Sequence, residues 1–459
     1  MPIPLIHRIT RFIVSRTSVV AQLQTMPFKK PIQARPMGAG VNARCHGACW
    51  TLPAKAVMVL PKETHTMAER TLRGQAVIAG IGETQYYKHG QSPHSEFKLT
   101  LQAILAAAKD AGIDPKDIDG FTSYSNDRND PSRLSAALGI KELRFSNMQW
   151  GGGGGGVAAA VGNAAAAVTT GMANCVVAFR ALAQGQFARF GRGSGAPLAS
   201  GDDAFTIPYG LMSPAQKFAM KVVRFMHDHG VKQDALRAIS LASYHHAQNN
   251  PRAVMYGRPL DEAKYDASRW IVEPFHLFDC CLENDGAAAV IVMPADRAKD
   301  LPHKSSYLLG VATGSDHRCA APVHNGPNYA SSHFATVAPN LYAMAKMGPK
   351  DIDVVQCYEN FTGGVLMSLV EHGFCAPEEA NDLLRLENLI ASTGKMPLNT
   401  SGGNLAECYM HGLELVIEAV RQIRGESTNQ APRNDAVIVV GGPMVTPVSS
   451  LILGSEATL

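Results

Sequence analysis

The chain has 459 residues, 46% of them hydrophobic and 18% charged, with a formal net charge of +3. This composition is ordinary for a globular protein of two or three domains, or of one large duplicated one. Nine Lys or Arg and no acid precede Glu63, so the remainder carries a formal −6 and has no compositional reason to bind nucleic acid.

The acid-free arm has the composition of an organelle transit peptide. Met67, however, opens MAERTLRGQAVIAGIGETQ, a more natural beginning, so residues 1–66 are expected to be a disordered or mis-started basic arm. The nine cysteines are odd in number and irregularly spaced, which excludes a disulfide framework and points to a reducing, cytoplasmic compartment. Cys45 and Cys49 have zinc-like spacing without a second ligand pair. No stretch is apolar enough for a membrane span, and no metal site is expected.

Gln75 to Gly82 (QAVIAGIG) reads as a buried strand ending in a glycine turn. Phe97 to Ala111 has apolar residues at helical spacing and is closed by Gly112 and Pro115. Ile118 to Tyr124 predicts a strand, Leu134 to Leu138 a short helix, and Arg144 to Met148 a strand. Six consecutive glycines, Gly151 to Gly156, then lead into the Ala/Val-rich segment Val157 to Val168. A flexible linker would have polar flanks, whereas Trp150 and Val157 flank this run. Small residues on every face predict a central helix packed all round. Asn174 to Phe179 is a buried strand. A loop-rich insertion at about 180–275 follows, with helices at Ala215 to His227 and Asp234 to Gln248. Ala287 to Met293 (AAAVIVM) completes the first half.

The same order then recurs. Ser306 to Thr313 parallels the opening strand, and the pentapeptide PKDID at Pro115 to Asp119 returns at Pro349 to Asp353. A helix at Gly363 to His372, a second glycine loop at Asn399 to Asn404 (NTSGGN), a helix from Leu405 to Ile423 and a closing strand at Ala436 to Val440 complete it. The repetition predicts a duplicated α/β unit, with halves at 72–300 and 305–455 and the two glycine-led helices packed on each other.

Dinucleotide binding is disfavoured, because six glycines satisfy any glycine pattern and no acid lies between Glu142 and Asp202 to hold a ribose. A serine hydrolase is disfavoured too, since Gly191 to Gly195 (GRGSG) misplaces the serine.

Three motifs carry a resemblance. Ser243 to Pro251 (SYHHAQNNP), Cys280 to Ala289 (CCLENDGAAA) and Asn399 to Gly412 (NTSGGNLAECYMHG) are similar to segments of sterol-carrier-type thiolases. The resemblance runs over about residues 72–455 and implies the thiolase fold, duplicated βαβαβαββ halves in a five-layer α-β-α-β-α core. It also shows what is missing. The nucleophilic Cys place falls on Gly154, the second Cys on Val439 or Val440, the base His on Tyr409, and the Asn or His of the remaining motif on Tyr358. Either tyrosine alone reads as packing; their joint occupation of two active positions reads as a site. The pattern resembles thiolase-like lipid-transfer proteins that act as steroid side-chain aldolases. These cleave a bulky β-hydroxyacyl-CoA by a retro-aldol step, releasing a ketone and a short acyl-CoA.

By that resemblance Tyr358 and Tyr409 are the catalytic pair, provided nearby groups lower a phenol pKa from its usual value of about 10. Which is base and which is acid stays open. Gly153, Gly154, Gly402, Gly403 and Asn404 are the expected oxyanion and substrate-binding surface, with the missing Cys side chain leaving room for a large ring system. His246, His411 and Cys408 are possible supporting residues. No cofactor is implied beyond the coenzyme A of the substrate. A homodimer and a small OB-fold, zinc-ribbon partner protein are implied by the resemblance alone. Two alternatives remain: an acyltransferase using Cys408 or Cys357 as nucleophile, and a non-catalytic acyl-CoA or lipid-binding protein.

Overall fold

The computed structural model describes residues 71–187, 199–317, 319 and 328–459. The basic arm, Cys45, Cys49 and the GRGSG segment lie outside the described residues.

Chain order alternates strands and helices. The first half holds β1 (Ala76–Glu83), β2 (Tyr87–Lys88), α1 (Glu96–Ala111), β3 (Gly120–Tyr124), α2 (Pro131–Leu138), β4 (Phe145–Gln149), α3 (Val157–Thr169) and β5 (Val176–Ala183). Across the insertion run α4 (Pro214–His229), α5 (Gln233–Ala247), α6 (Glu262–Asp266), β6 (Trp270–Val272) and β7 (Phe275–His276), followed by β8 (Asn284–Pro294). The second half holds β9 (Ser306–Gly314), α7 (Ala338–Ala345), β10 (Val354–Cys357), α8 (Thr362–Glu371), α9 (Ala380–Leu383), α10 (Leu386–Leu389), α11 (Leu413–Arg424), β11 (Ala436–Val440) and β12 (Val448–Gly454). Helix starts follow side-chain chemistry: Ser95 and Asp130 cap α1 and α2, and Ser213 with Gln216 forms a capping box on α4.

The duplication is written into the sheet. Its order is β10-β11-β12-β9-β1-β8-β5-β3-β4, with β2 attached to β8. In the first half β4, β3 and β5 are parallel, while β5–β8 and β8–β1 are antiparallel. In the second, a parallel bridge from Leu398 to Val355 stands where β4 would, β10 and β11 are parallel, and β11–β12 and β12–β9 are antiparallel. The halves join where β1 meets β9, at Val77 with Tyr307 and Ile78 with Ser306. Both PKDID copies form the same short 3-10 turn, Pro115–Asp117 and Pro349–Asp351, ahead of equivalent strands.

Helices α3 and α11 share one buried apolar cluster with residues of both halves' strands. The α3 helix is buried on almost every face. Gly162 lets it approach β9, because a Cβ there would meet Val311 Cγ2 at 2.8 Å. The outer faces of the strands are covered by α1, α4, α5, α7 and α8 in a second cluster. This is the mixed α/β thiolase arrangement expected from the resemblance.

Two expectations need correction. The second central helix begins at Leu413, not Leu405: Gly403–Glu407 forms a wide π-type turn, Cys408 is extended, and His411 and Gly412 adopt positive φ. Tertiary bonds hold this break open. Asn284 Oδ1 accepts the Tyr409 N–H at 2.6 Å, and the Tyr124 hydroxyl donates to the Met410 and His411 carbonyls at 3.2 and 3.0 Å. Second, β11 does not close the chain. β12 follows it, its apolar pattern interrupted by Ser449 and Ser450, which are buried with partners: Ser449 Oγ donates to the Gly155 carbonyl at 2.6 Å and Ser450 Oγ meets His372 Nε2 at 3.1 Å.

The first half also depends on the contact of β1 with α1. A Cβ on Gly82 would lie 2.2 Å from the Ala103 carbonyl oxygen, a backbone atom that cannot swing away. Gly82→Ala is therefore expected to cost about 1–3 kcal/mol in urea unfolding. Gly348→Ala, where the nearest atom is 3.8 Å away, should cost far less.

Candidate active site

Tyr358 follows the last residue of β10, and its N–H donates to the Val440 carbonyl at 3.0 Å. Its ring thus stands at the carboxyl ends of the parallel pair β10 and β11. Two glycines make space for it. A Cβ on Gly154 would lie 2.1 Å from Tyr358 Cε2, and one on Gly412 would lie 2.9 Å from Cδ2. The place of the missing cysteine is therefore filled by the protein's own tyrosine, not left as room for substrate. A Cβ on Gly153 would stand 3.8 Å from the Tyr358 hydroxyl oxygen, so the glycine run lies beside the pair.

The Tyr358 hydroxyl donates to the Tyr409 hydroxyl at 2.6 Å, with ring centroids 5.8 Å apart. Tyr409 in turn hydrogen-bonds the Cys281 thiol. Tyr358 is 1% exposed and Tyr409 8%, so Tyr409 is the member of the pair nearer to solvent. Burial pushes both phenols well above their usual range, and each is raised further by anionic neighbours. The expected lowering is not found; the pair rests neutral. The hydrogen bond from Tyr358 opposes the rise for Tyr409 alone. Cys281 is half-buried, and burial pushes its thiol up to about 12.

His411 is buried next to the pair, its ring edge-on to Tyr409 at 5.0 Å. Its backbone has φ +53°. Arg180 Nε donates to His411 Nδ1 at 3.1 Å, and Arg180 is ion-paired with Asp127 at 3.2 Å with both side chains almost wholly buried. Burial, then the Arg180 charge, pushes His411 well below its usual range. The ring is neutral and its tautomer is set by the arginine.

The second glycine loop is turned toward a carboxylate that the sequence reading missed. Asn404 N–H donates to Glu359 Oε2 at 2.7 Å, and Asn404 Oδ1 accepts the Glu359 N–H at 2.9 Å. Gly402 and Gly403 have φ +112° and +53°, and a Cβ on Gly403 would stand 2.0 Å from Glu359 Oε2. The Asn404 amide also bonds Glu414, and Ser243 Oγ donates to Glu359 Oε1 at 2.5 Å. Burial outweighs these bonds and raises the Glu359 carboxyl to about 7. Gly402, Gly403 and Asn404 thus brace Glu359, the neighbour of Tyr358. The one available sequence signal was the acid inside YENF.

His246 lies farther back. Its Nε2 accepts the Ala391 N–H at 2.9 Å and its Nδ1 faces the Asn399 carbonyl at 3.1 Å. Burial lowers it to about 3, a neutral ring tying two loops together. Cys408 and Cys357 are fully buried, and burial pushes both thiols well above their usual range. The structure gives neither the exposure nor the lowered pKa of a nucleophile. Among the described residues, no helix is long and apolar enough to cross a membrane.

Residues 314–455 match the family model described as thiolase C-terminal domain-like. Over 392 residues the chain is 40% identical to a steroid side-chain-cleaving aldolase of Thermomonospora curvata, covering 84% of this chain and 99% of that protein. Over 395 residues it is 38% identical to a 17-hydroxy-3-oxo-4-pregnene-20-carboxyl-CoA lyase of Mycobacterium tuberculosis, covering 83% and 100%. A solved structure described as the Ltp2-ChsH2(DUF35) aldolase superposes with a TM-score of 0.78 at 38% identity, covering 85% of this chain and all of that one.

The exclusion between a side chain at 154 and the ring at 358 can be measured. Gly154→Ala should cost about 1–3 kcal/mol in the native background and close to nothing beside Tyr358→Ala. Denaturation of the two single variants and the double variant gives the coupling; additive costs would contradict the contact.

Proposed function

The chain belongs to the thiolase-fold family of steroid side-chain-cleaving aldolases, and we propose that it cleaves a bulky β-hydroxyacyl-CoA, a steroid thioester, by a retro-aldol reaction. The products are a ketone on the ring system and a short acyl-CoA. The observation that carries this reading is the hydroxyl pair Tyr358–Tyr409, 2.6 Å apart, with the Tyr358 ring in the place of a nucleophile.

A retro-aldol step needs no acyl-enzyme. It needs a base for the β-hydroxyl and stabilisation of the enolate that the thioester becomes. Tyr409 is the better base: it is nearer to solvent, and its oxygen accepts the Tyr358 hydroxyl, a bond that favours the phenolate. The Tyr409 phenolate removes the β-hydroxyl proton. The oxygen's electron pair forms the ketone, the Cα–Cβ bond breaks, and its pair passes into the thioester enolate. Protonation at Cα from Tyr409 yields the acyl-CoA and restores the phenolate. The sequence is redox-neutral, and coenzyme A enters only as part of the substrate. We assign the enolate oxygen to the backbone N–H groups at Gly153 and Gly154, which lead into the N-terminus of α3.

Two assembly proposals accompany this reading. The solved relative pairs its aldolase with a DUF35 protein, and we expect a small OB-fold, zinc-ribbon partner here. Among the described residues the sheet ends at β4, where Ser146 and Met148 face solvent and Trp150, just beyond, is 87% exposed. An open edge of this kind is suited to pairing with a second copy. Sedimentation should show a homodimer that Met148→Lys converts to monomer; a native monomer would overturn this.

The reaction is tested by following ketone and short acyl-CoA release from a steroid β-hydroxyacyl-CoA, with the partner present. Tyr409→Phe and Tyr358→Phe should each lower kcat/KM by about a hundredfold or more. Full activity in both variants would exclude the assignment. Because burial raises the Tyr409 pKa, its phenolate is a minor species at neutral pH that grows as pH rises. Below that pKa, kcat/KM should rise about tenfold per pH unit, and Tyr409→Phe should abolish this slope.

A further inference from the structure

A second cluster of reactive side chains lies outside the tyrosine site. Asp316 and Cys319 follow the end of β9, and His333 lies in the turn before α7. His333 is 1% exposed, Cys319 7%, and the Asp316 side chain 12%. Cys319 Sγ stands 3.2 Å from His333 Nδ1, and Asp316 Oδ2 stands 3.4 Å from the same nitrogen. All three atoms fall within 4.8 Å of one another.

We propose that Asp316, Cys319 and His333 form a binding site for a divalent cation of the zinc class. A tetrahedral zinc, with ligands at about 2.0–2.3 Å, places neighbouring ligand atoms roughly 3.3–3.7 Å apart. The Asp316–His333 separation of 3.4 Å lies inside that interval, and the Cys319–His333 separation of 3.2 Å falls just short of it. A sulfur, a ring nitrogen and a carboxylate oxygen are the donor types this ion takes. Solvent would fill the fourth position. Binding of the sulfur as thiolate releases its proton to solvent.

The same three residue types could also suggest a Cys-His-Asp nucleophilic triad, but the geometry opposes it. A triad sets the nucleophile and the orienting acid on opposite ring nitrogens. Here both converge on Nδ1, while Nε2 faces Lys221 Nζ at 3.3 Å. Convergence on one nitrogen suits a shared cation.

The surrounding shell holds the ring in place. His333 has φ +76°, a left-handed conformation uncommon outside glycine. Its N–H donates to Ser331 Oγ at 2.9 Å, and Ser331 Oγ donates to Glu371 Oε1 at 2.7 Å. Ser332 Oγ and the Phe334 N–H bond the other Glu371 oxygen at 2.7 and 2.6 Å. Such outer bonds orient metal ligands.

The cluster also touches the segment behind the glycine run. Thr446 Oγ1 donates to the Cys319 carbonyl at 2.8 Å, and the Met444 N–H donates to the Ser332 carbonyl at 3.1 Å. The Gly442 N–H reaches the Gly154 carbonyl at 2.9 Å. A bound cation would therefore stiffen the segment against which Gly154 rests, without touching the tyrosine pair.

The test uses the full chain without its partner, dialysed against chelator and titrated with Co²⁺ alone. A thiolate-to-cobalt charge-transfer band should appear with one equivalent, and the melting temperature should rise. Cys319→Ser should abolish the band, and His333→Ala and Asp316→Asn should weaken binding at least tenfold. Cys45→Ser/Cys49→Ser should leave the band intact. Lys221→Met, which removes a positive charge 3.3 Å from the ring, should tighten binding. Circular dichroism checks that each variant is folded. Absence of the band in the native chain, or its full retention in folded Cys319→Ser, overturns the proposal. Both readouts are independent of aldolase activity.

Discussion

The site depends on a single steric fact: the ring at 358 and a side chain at 154 compete for the same volume. A Cβ on Gly154 would penetrate the ring at 2.1 Å, well inside any tolerable contact. A thiolase nucleophile and this tyrosine therefore cannot coexist on one backbone. Gly412 completes the slot from the other side, and with positive φ it is also the residue that precedes α11. Loss of the nucleophile and entry of the phenol are thus one structural event rather than two.

Two buried acids lie close to the tyrosines. Glu359 is clasped by Ser243 and Asn404, and Asn404 reaches on to Glu414. Burying a charge without a partner is costly, and here the cost is met by donors and by protonation, since burial raises both acids. Arg180, which donates to His411, is itself ion-paired with Asp127. In this surround the hydrogen bond between the phenols favours Tyr409 as the one that becomes anionic.

Much of this was legible in the sequence, and the reasons for success and failure are physical. The duplicated strand and helix order is carried by local periodicity and by PKDID, which folds identically twice. Tyr358, Tyr409 and Gly154 could be singled out through the family resemblance, whose motifs carry the places they occupy along the chain. The late start of α11 was not legible: Leu405 to Ile423 has helical pattern throughout, and it is Asn284 and Tyr124, distant in sequence, that hold the break. The roles of Gly402, Gly403 and Asn404 were hidden because their partner, Glu359, comes from the loop after β10, some 45 residues earlier in the chain. The direction of the phenol shifts was also hidden, since desolvation depends on packing and not on neighbours in the chain.

Neutral phenols suit a buried site in a way that a cysteine–histidine couple does not. A thiolate–imidazolium pair must be maintained in the resting protein, at a desolvation cost that grows with burial. Two phenols, one donating to the other, rest uncharged and fully hydrogen-bonded. Charge is present only in the minor Tyr409 phenolate form that takes the substrate's hydroxyl proton, and the low dielectric that raises both pKa values also strengthens every fixed dipole aimed at the enolate. Under the aldolase reading, the glycine run and the start of α3 become the electrostatic half of the catalyst. Tyr409, with Tyr358 behind it, becomes the proton-handling half. Removing the nucleophile from a thiolase frame then leaves a frame already shaped to bind an acyl-CoA and stabilise its enolate. The tyrosine pair supplies the one element a retro-aldol reaction still needs.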